Sequence, residues 1–167
     1  MKTLIVYYSY EGNSALVAEE LKKAAEAISS VCNILELKTA DDIKRTGLSK
    51  YFWGGKQVFS HKKPQLKPYT VTIEEYDLII LGAPVWAGTP APALQSFIGE
   101  TKINGKKLGL FCCHAGGKGK AQDKLKALLT GNTIAGEIDF VNPAKQDRAV
   151  VVKKIEEWVR LLQTSDL

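Results

Sequence analysis

The first loop of the chain carries residue types that can hold a phosphate group. It runs from Ser9 to Ser14 with the sequence SYEGNS and connects an apolar run to a segment with helical spacing. Hydroxyls at both ends, a glycine that lets the backbone come close, and the exposed amides of a helix N-terminus together form an anion cradle. A capped turn that binds nothing is the alternative, and Glu11 would repel a phosphate unless its side chain points to solvent.

A second loop is placed to join the first in one binding site. In an open parallel sheet, ligands bind beyond the carboxyl ends of the strands, which here are near Tyr8, Gly82 and Cys113. The loop after Gly82 contains Trp86, which offers a flat π surface for a ring system. A Trp packed in the core is the alternative, but a position in a loop at the ligand edge favours contact with a ligand.

The third loop, from Cys113 to Lys118, has the sequence CHAGGK. Its glycines allow backbone amides to approach a ligand closely. His114 could donate a hydrogen bond to a ligand here, although a solvated loop histidine is the more common arrangement. Neither His114 nor His61 has the companions that a metal site needs, so the sequence predicts no metal site.

Alternating strands and helices position these loops. Short apolar runs rich in β-branched residues predict strands covered on both faces, and the stretches between them have helical spacing. The predicted strands are Thr3–Tyr8, Val31–Leu37, Leu78–Ala83, Leu108–Cys113 and Thr133–Val141, and the predicted helices are Ala15–Ile28, Ala91–Ile98, Ala121–Leu129 and Arg148–Leu162. This alternation predicts a doubly wound α/β sheet, with Thr89-Pro90 starting the second helix and Asp147 capping the last.

The second crossover, Ala40–Tyr76, is longer than the others. It holds the aromatic run Tyr51-Phe52-Trp53, and residues 43–73 contain seven Lys or Arg and no Asp or Glu. A second basic stretch, residues 101–127, has seven lysines against one aspartate. No linker, repeat or low-complexity tract occurs, so we expect one domain over residues 1–167 with an elaborated crossover.

Composition excludes several broad classes of protein. With 167 residues, 45% of them hydrophobic and 25% charged, the chain has the size and balance of one globular domain. No apolar run reaches the roughly 20 residues of a membrane helix, and the N-terminus lacks a secretory cleavage site, so we expect no membrane insertion. Three cysteines, two of them adjacent, form neither a disulfide framework nor a CxxC zinc site, which favours reduced thiols in a cytoplasmic protein.

Other phosphate-binding motifs are absent from the first loop. Gly12 is its only glycine, whereas a dinucleotide-binding fold has G-x-G-x-x-G, and the Gly-Lys-Ser/Thr of a P-loop is missing. A phospho-acceptor receiver domain needs acidic residues after the first strand and an Asp at the end of the third. The chain has Tyr8-Ser9 and Ala83-Pro84 at these points, so metal-assisted phosphorylation is not expected.

The chain resembles the flavodoxins, which bind FMN non-covalently. Their N-terminal pattern places apolar, aromatic, hydroxyl and small residues at set spacings, and Ser14 stands where they have a Thr. The residues that match the pattern are Ile5, Val6, Tyr7, Ser9, Gly12, Ala18 and Leu21. The segment Gly82–Trp86 is similar to the family segment that lays a Trp against the flavin ring.

The resemblance implies a fold, a cofactor and a site. The fold is a three-layer sandwich around a five-stranded parallel sheet of order 2-1-3-4-5. The cofactor is FMN, with its phosphate in the first loop, its ring against Trp86 and its pyrimidine oxygens at the third loop. The expected cofactor-binding residues are Ser9, Tyr10, Glu11, Gly12, Asn13, Ser14, Pro84, Val85, Trp86, Ala87, Gly88, His114, Ala115, Gly116, Gly117 and Lys118.

The chain also departs from the family pattern. Flavodoxins commonly have Gly after this Trp, where a flip of the peptide lets a carbonyl accept a hydrogen bond from the N5–H of the one-electron-reduced flavin. If the same flip requires a positive φ at Ala87, it costs about 1 kcal/mol more than at Gly, so the one-electron-reduced flavin would be less favoured. Residues 114–118 contain no aromatic ring, so the second flavin face is open or is covered by His114 or by residues 51–53. The pI near 9.0 predicts a higher reduction potential than in acidic relatives, because nearby positive charge stabilises the reduced anion. The lysines expected near the flavin are Lys56, Lys62, Lys63, Lys118 and Lys120.

Two redox functions and one other function remain open. A flavodoxin-like electron carrier passes single electrons between redox partner proteins, and the small size and missing nucleotide fingerprint favour it. A reductase takes hydride from NAD(P)H and reduces a quinone or another small electron acceptor, and the open flavin face, Ala87 and the basic rim favour that alternative. A flavin-free module that binds nucleic acid is disfavoured, because no recognised nucleic-acid motif is present. Either a monomer or a homodimer fits the sequence.

Overall fold

The computed structural model describes residues 1–28, 31–40 and 63–164. These residues fold into a sheet of mainly parallel strands with helices on both sides. The strands in these residues are β1 (Lys2–Tyr8), β2 (Val31–Leu37), β3 (Leu78–Trp86), β4 (Thr89–Pro90), β5 (Lys107–His114) and β6 (Thr133–Val141). The helices are α1 (Asn13–Ala27), α2 (Pro92–Thr101), α3 (Ala121–Ala127) and α4 (Arg148–Thr164), with 3₁₀ turns at Ile73–Glu75 and Pro143–Lys145.

The long strands pair in the order β2-β1-β3-β5-β6, and all of these pairs are parallel. The two-residue β4 pairs antiparallel with the end of β3. Apart from β4, this is the predicted sheet of order 2-1-3-4-5, which is confirmed. The order reverses between β1 and β3, and the crevice at such a reversal opens at the carboxyl ends of the strands.

The sheet buries both of its faces, and the position of a residue along its strand decides which helices it meets. On β1, Leu4 and Val6 pack in one cluster with α2 and α3. Ile5 and Tyr7 pack in another cluster with α1 and α4. Because successive side chains of a strand alternate between faces, a continuous apolar run is what a doubly covered strand requires. The apolar runs of the sequence therefore predicted the strands correctly.

Thr89 and Pro90 do not start the second helix, so that prediction is wrong. They form β4 by pairing with the last two residues of β3. Helix α2 begins at Pro92 after Ala91, which puts a proline at the first helical position two residues later than expected. Pro90 and Pro92 are equally suited to the first position of a helix. Pro90 is taken up in the pairing of β4 with β3, so the helix begins at Pro92.

Asp147 caps α4 as predicted. Its Oδ1 accepts a hydrogen bond from the Ala149 N–H at 2.8 Å, and its carbonyl accepts one from the Val151 N–H at 3.2 Å. These bonds satisfy amides at the start of the helix that have no acceptor within the helix itself.

The described end of the long crossover lies beside the end of β2. The Ala40 N–H donates to the Gln65 carbonyl at 3.0 Å, and the Lys67 N–H donates to the Lys38 carbonyl at 2.7 Å. Lys63 lies against Gly99 of α2, not at the flavin position predicted for it. The residues of the crossover named in the sequence analysis that lie outside the described residues are Tyr51, Phe52, Trp53, Lys56, His61 and Lys62.

Candidate ligand-binding site

A cavity of about 500 Å³ opens at the carboxyl ends of β1, β3 and β5. It lies at the reversal of strand order, where open α/β sheets bind their ligands, and its size is in the range of small-molecule sites. Its wall consists of Ser9, Tyr10, Glu11, Asn13, Ser14, Pro84, Val85, Trp86, Ala87, Gly88, Cys113, His114, Ala115, Gly116, Gly117 and Asn142.

The cavity brings together nearly all of the residues that the sequence analysis selected. Gly12 and Lys118 are the two selected residues outside its wall. Gly12 is the residue that precedes α1, and Lys118 forms an ion pair with Asp139. Cys113, the buried residue just before the third loop, joins the wall although it was not selected.

The first loop turns into α1 through Gly12, which has a φ of 91°. Glycine suits this left-handed conformation because it has no Cβ to meet the backbone. The Ser9 Oγ accepts a hydrogen bond from the Ala15 N–H at 3.2 Å, which leaves its own hydroxyl hydrogen for a ligand. Gly12 has no side chain with which to cap the helix, so amides of the first turn, with their partial positive charge, are available to an anion.

Ser14 is a buried residue of the cavity wall, and its Oγ has no hydrogen-bond partner among the described residues. It lies beside the Cys113 thiol and lowers that thiol's pKa against the larger, raising effect of burial, but the two groups lack the geometry of a hydrogen bond. A buried hydroxyl without a partner costs about 1–3 kcal/mol. An anion on the first turn of α1 would accept the hydroxyl hydrogen and remove this cost.

Ala87 and Gly88 form the tip of the hairpin that joins β3 and β4. Their φ angles are 47° and 67°. Positive φ at both central residues is what a type I′ turn requires, and its twist suits a two-residue hairpin. The positive φ considered for Ala87 in the sequence analysis is therefore present, at a cost of about 1–2 kcal/mol relative to glycine.

Trp86 lies between two tyrosines at one side of the cavity. The centroid of its ring is 5.8 Å from that of Tyr8 and 5.8 Å from that of Tyr10, and both contacts are edge to face. Such contacts contribute about 0.5–1.5 kcal/mol beyond the burial of area. They orient the half-buried indole while it remains part of the cavity wall.

A chain of polar groups links the third loop to β6. His114 Nε2 lies 3.1 Å from Asp139 Oδ2, and Lys118 Nζ donates to Asp139 Oδ1 at 2.9 Å. Lys118 is the main cause that lowers the pKa of Asp139, partial burial opposes it, and His114 adds to the lowering. The His114 side chain is only 7% exposed, so the expectation of a solvated loop histidine is wrong.

Asn142 is a cavity residue that the sequence analysis did not select. Its N–H donates to the His114 carbonyl at 2.8 Å, and its Nδ2 donates to the Ala115 carbonyl at 3.1 Å. Two residues further on, the Ala144 N–H donates to Asn13 Oδ1 at 3.1 Å, so the segment after β6 joins the first and third loops. The available signal was an Asn-Pro pair directly after the last strand, because Asn tolerates the left-handed conformation found here, with φ of 41°.

A single protein-family model covers the sheet, nearly all of the helical residues and the loops of the cavity. A family model described as flavodoxin matches residues 2–160, which include every strand and every loop of the cavity. This chain belongs to the flavodoxin family. The resemblance noted in the first loop and in Gly82–Trp86 is thereby confirmed.

Solved flavodoxins and flavoproteins have the same fold. A flavoprotein from Lactobacillus acidophilus NCFM in complex with FMN is 26% identical, with 83% of this chain and 92% of that chain covered and a TM-score of 0.69. Oxidised Flavodoxin 2 from Bacillus cereus is 18% identical, with 98% of each chain covered and a TM-score of 0.63. Two-electron reduced Megasphaera elsdenii flavodoxin is 23% identical, with 94% of this chain and 97% of that chain covered and a TM-score of 0.60. No curated protein sequence matches the chain.

The cavity of this flavodoxin-family protein fits FMN in its chemistry, and the prediction of this cofactor is confirmed at the level of the family. The unpartnered Ser14 Oγ and the first turn of α1 suit a phosphate group. Trp86 supplies an aromatic wall for a ring system. The small residues 115–117 allow the backbone to approach the ring edge.

Residues 1–28, 31–40 and 63–164 meet the requirements of neither a metal site nor a membrane-spanning helix. No group of three or more His, Cys, Asp or Glu there could hold a metal ion, and no helix there is long and apolar enough to cross a membrane. All three cysteines are free and buried, and burial raises the pKa of Cys32 to about 11 and those of Cys112 and Cys113 to about 12.

Proposed function

We propose that this protein binds one FMN in the cavity and carries electrons between redox partner proteins. The observation that carries the proposal is the buried Ser14 hydroxyl, which has no partner among the described residues and lies on the first turn of α1 in the cavity wall. A phosphate group satisfies such a hydroxyl and the neighbouring amides together. The Lactobacillus acidophilus relative in complex with FMN supports the identity of the ligand.

The first loop holds the phosphate in this proposal. The hydroxyls of Ser9 and Ser14 donate to phosphate oxygens, and amides from Tyr10 onward add backbone donors. Asn13 contributes its amide nitrogen, since its Oδ1 is already engaged by the Ala144 N–H. Phosphate binding here requires the Glu11 carboxylate to point away from the phosphate, because two negative charges in contact would weaken binding.

The second and third loops hold the ring. Trp86 covers one face of the isoalloxazine, with Pro84, Val85, Ala87 and Gly88 around it. The backbone of residues 114–117 donates hydrogen bonds to the pyrimidine oxygens. Lys118, outside the cavity wall, acts through its charge and through its ion pair with Asp139.

FMN supplies the redox chemistry when bound. The protein controls which molecules can reach the flavin and sets the flavin's reduction potential. The loops exclude water from one face of the ring and leave its edge open to a partner. Lys118 ends the third loop, and Lys120 follows it just before α3. Because Lys118 is paired with Asp139, Lys120 is the one whose positive charge, without an ion pair among the described residues, would favour the reduced, anionic form of the ligand. We therefore expect a higher reduction potential than in acidic flavodoxins.

An NAD(P)H-dependent reductase of quinones or other small acceptors is the second candidate. The observation that favours it is the third loop, in which residues 114–118 offer no aromatic ring to cover the second face of the flavin. Stopped-flow mixing of the FMN-loaded protein with NADPH separates the two functions. A carrier retains its oxidised flavin absorption over seconds, whereas a reductase loses it rapidly.

The cellular setting is part of the same proposal. Three free, buried cysteines suit the reducing cytoplasm. The match over residues 2–160 supports a single flavin-binding domain over residues 1–167. In this proposal the domain works with protein partners, as a monomer or as a homodimer.

The phosphate contact can be tested by comparing FMN with riboflavin, which lacks the phosphate. We expect the wild-type protein to bind FMN much more tightly, and Ser14→Ala to weaken FMN binding by about tenfold or more while changing riboflavin binding little. Thr133→Ala is the matched control, because it removes an exposed hydroxyl at the opposite end of the sheet. Equal affinity for the two ligands in the wild-type protein would refute this mode of binding.

A further inference from the structure

His114 is an ionisable residue of the cavity wall, and among the described residues only one of its ring nitrogens has a hydrogen-bond partner. Its side chain is nine-tenths buried, and Nε2 lies 3.1 Å from Asp139 Oδ2. Nδ1 is also buried and has no hydrogen-bond partner among the described residues. Leaving a buried polar atom unpaired is costly, so an unpaired nitrogen in a cavity wall points to an interaction that forms with the ligand present.

The pairing of β5 with β6 brings His114 and Asp139 together. Cys112 lies opposite Asp139, and His114 lies opposite Val141 in the parallel ladder. His114 and Asp139 are therefore diagonal neighbours on one face of the sheet, within reach of each other's side chains. Lys118 bonds the second carboxylate oxygen and helps to keep the pKa of Asp139 below its usual value.

The ionised carboxylate fixes the tautomer of the ring. A carboxylate only accepts hydrogen bonds, so a neutral His114 must carry its proton on Nε2 to bond Asp139. Nδ1 then has a lone pair for which residues 1–28, 31–40 and 63–164 supply no donor. Lys118 is about half exposed, so the cation that holds the second oxygen of Asp139 reaches solvent.

The other ionisable groups near His114 do not take over this role. On β5, burial raises the pKa of Cys112 and of Cys113 to about 12, so both thiols stay protonated. Glu11 is also in the cavity wall, but it belongs to the first loop, whereas the carboxylate that contacts the His114 ring is that of Asp139. In the part of the chain that the structure describes, the other charged groups around Asp139 are Lys154 of α4, which donates to the Asp139 carbonyl at 2.6 Å, and Glu137 of β6, which pairs with Lys126 of α3 at 2.9 Å.

We propose that His114 takes up a proton at Nδ1 when negative charge is added in the cavity, and that Asp139 is the residue that positions it for this exchange. The proposal rests on the proposed FMN site. When a redox partner delivers two electrons to bound FMN, one proton moves from solvent to Nδ1, besides any proton that the ligand itself takes up. An N–H bond forms, the electrons stay on the ligand, and no bond of the protein breaks. The imidazolium then lies between two negative charges and offsets the added one.

The tautomer of His114 in the ligand-free protein is the first test. Nitrogen–proton correlation spectra show which ring nitrogen is protonated, and His114→Gln distinguishes the His114 signals from those of His61. We expect Nε2 alone to be protonated in the wild-type protein at neutral pH. In Asp139→Asn the proton should move at least partly to Nδ1, because an amide can donate to Nε2. Asp123→Asn on α3 is the matched control and should change nothing, whereas protonation of Nδ1 in the wild-type protein overturns the proposal.

The number of protons taken up on reduction is the second test. The slope of the midpoint potential of bound FMN against pH gives this number, and we expect about one proton fewer in His114→Gln than in the wild-type protein or in Asp123→Asn. Equal numbers in all three proteins, with FMN bound normally, overturn this inference alone. Failure of the wild-type protein to bind FMN, measured by fluorescence quenching, overturns the proposed function and this inference with it.

Discussion

The rings of Tyr10 and Trp86 lie edge to face, with their centroids 5.8 Å apart and their planes at 87°. Tyr10 belongs to the first loop and Trp86 ends β3, so this contact joins the loop assigned to the phosphate to the loop assigned to the ring. Tyr8, at the end of β1, holds the same indole from another side. The indole is therefore oriented by the protein itself, which lowers the ordering cost of binding a planar ligand.

Replacing this indole should weaken FMN binding without unfolding the protein. We expect Trp86→Leu to raise the dissociation constant by about fivefold, because stacking on an aromatic ring contributes roughly 1 kcal/mol beyond the burial of area. A fluorescence titration with FMN measures this change. Trp158→Phe, on the buried face of α4, is the control and should lower the melting temperature while leaving the dissociation constant unchanged. An unaltered dissociation constant in Trp86→Leu would mean that the indole does not contact the flavin.

The hairpin tip should become more stable when Ala87 is exchanged for a residue that tolerates positive φ. Asn-Gly is the favoured pair of a type I′ turn, so Ala87→Asn is expected to raise the free energy of unfolding by about 0.5–1 kcal/mol. Chemical denaturation measures the change. The same substitution at Ala24, inside α1, should instead lower the free energy of unfolding by about 0.5 kcal/mol. A loss of stability in Ala87→Asn would contradict the positive φ observed at this residue.

Glu20 should make the stability of the protein depend on pH. Lys23 and Arg148 each donate to its Oε1 at 2.7 Å, joining α1 to α4, and the Lys23 bond is the largest cause that lowers the pKa of Glu20, against partial burial. A carboxyl with a lowered native pKa stabilises the fold fully above its unfolded value of about 4.3, and this contribution is lost as the pH falls through the native pKa.

Glu20→Gln is therefore expected to be less stable than the wild-type protein at pH 7, by an amount that shrinks as the pH is lowered toward 3. Urea denaturation at several pH values measures both effects. Glu26→Gln, an exposed position of the same helix, should follow the wild-type curve much more closely. A gap between Glu20→Gln and the wild-type protein that stays constant with pH would contradict the lowered pKa.

The three thiols should be unreactive in the folded protein. Burial raises the pKa of Cys32 to about 11 and those of Cys112 and Cys113 to about 12, so very little reactive thiolate exists at pH 8. A thiol-specific dye such as dithionitrobenzoate should label none of them within minutes in native buffer and all three in denaturant. Rapid labelling of one native thiol would show that its strand opens or that its burial is incomplete.

The strands and the first loop could be predicted because their causes are local. Each long strand is a nearly continuous apolar run, and Ser9 to Ser14 combines hydroxyls and a glycine directly before a helix. The hairpin at Thr89 could not be predicted, because Ala-Gly is a weak signal for a type I′ turn and Thr-Pro also suits the start of a helix. Only pairing with β3 distinguishes the two.

The environments of His114 and Asn142 depend on residues far away in the sequence. His114 is buried against Asp139, which arrives on the neighbouring strand 25 residues later. Asn142 enters the cavity because its backbone and side chain bond the loop after β5. The local sequence indicates a turn at Asn142-Pro143, but it does not show which distant residues these two side chains contact, because those contacts arise only when β5 and β6 pair.

Titration of the ligand-free protein with FMN tests the central claim most directly, because the cofactor's fluorescence reports its contact with an aromatic wall. The proposal predicts that the emission is quenched until one FMN per chain has been added, that the flavin absorption bands shift, and that the melting temperature rises. Emission that stays at the level of free FMN, together with an unchanged melting temperature, would contradict it.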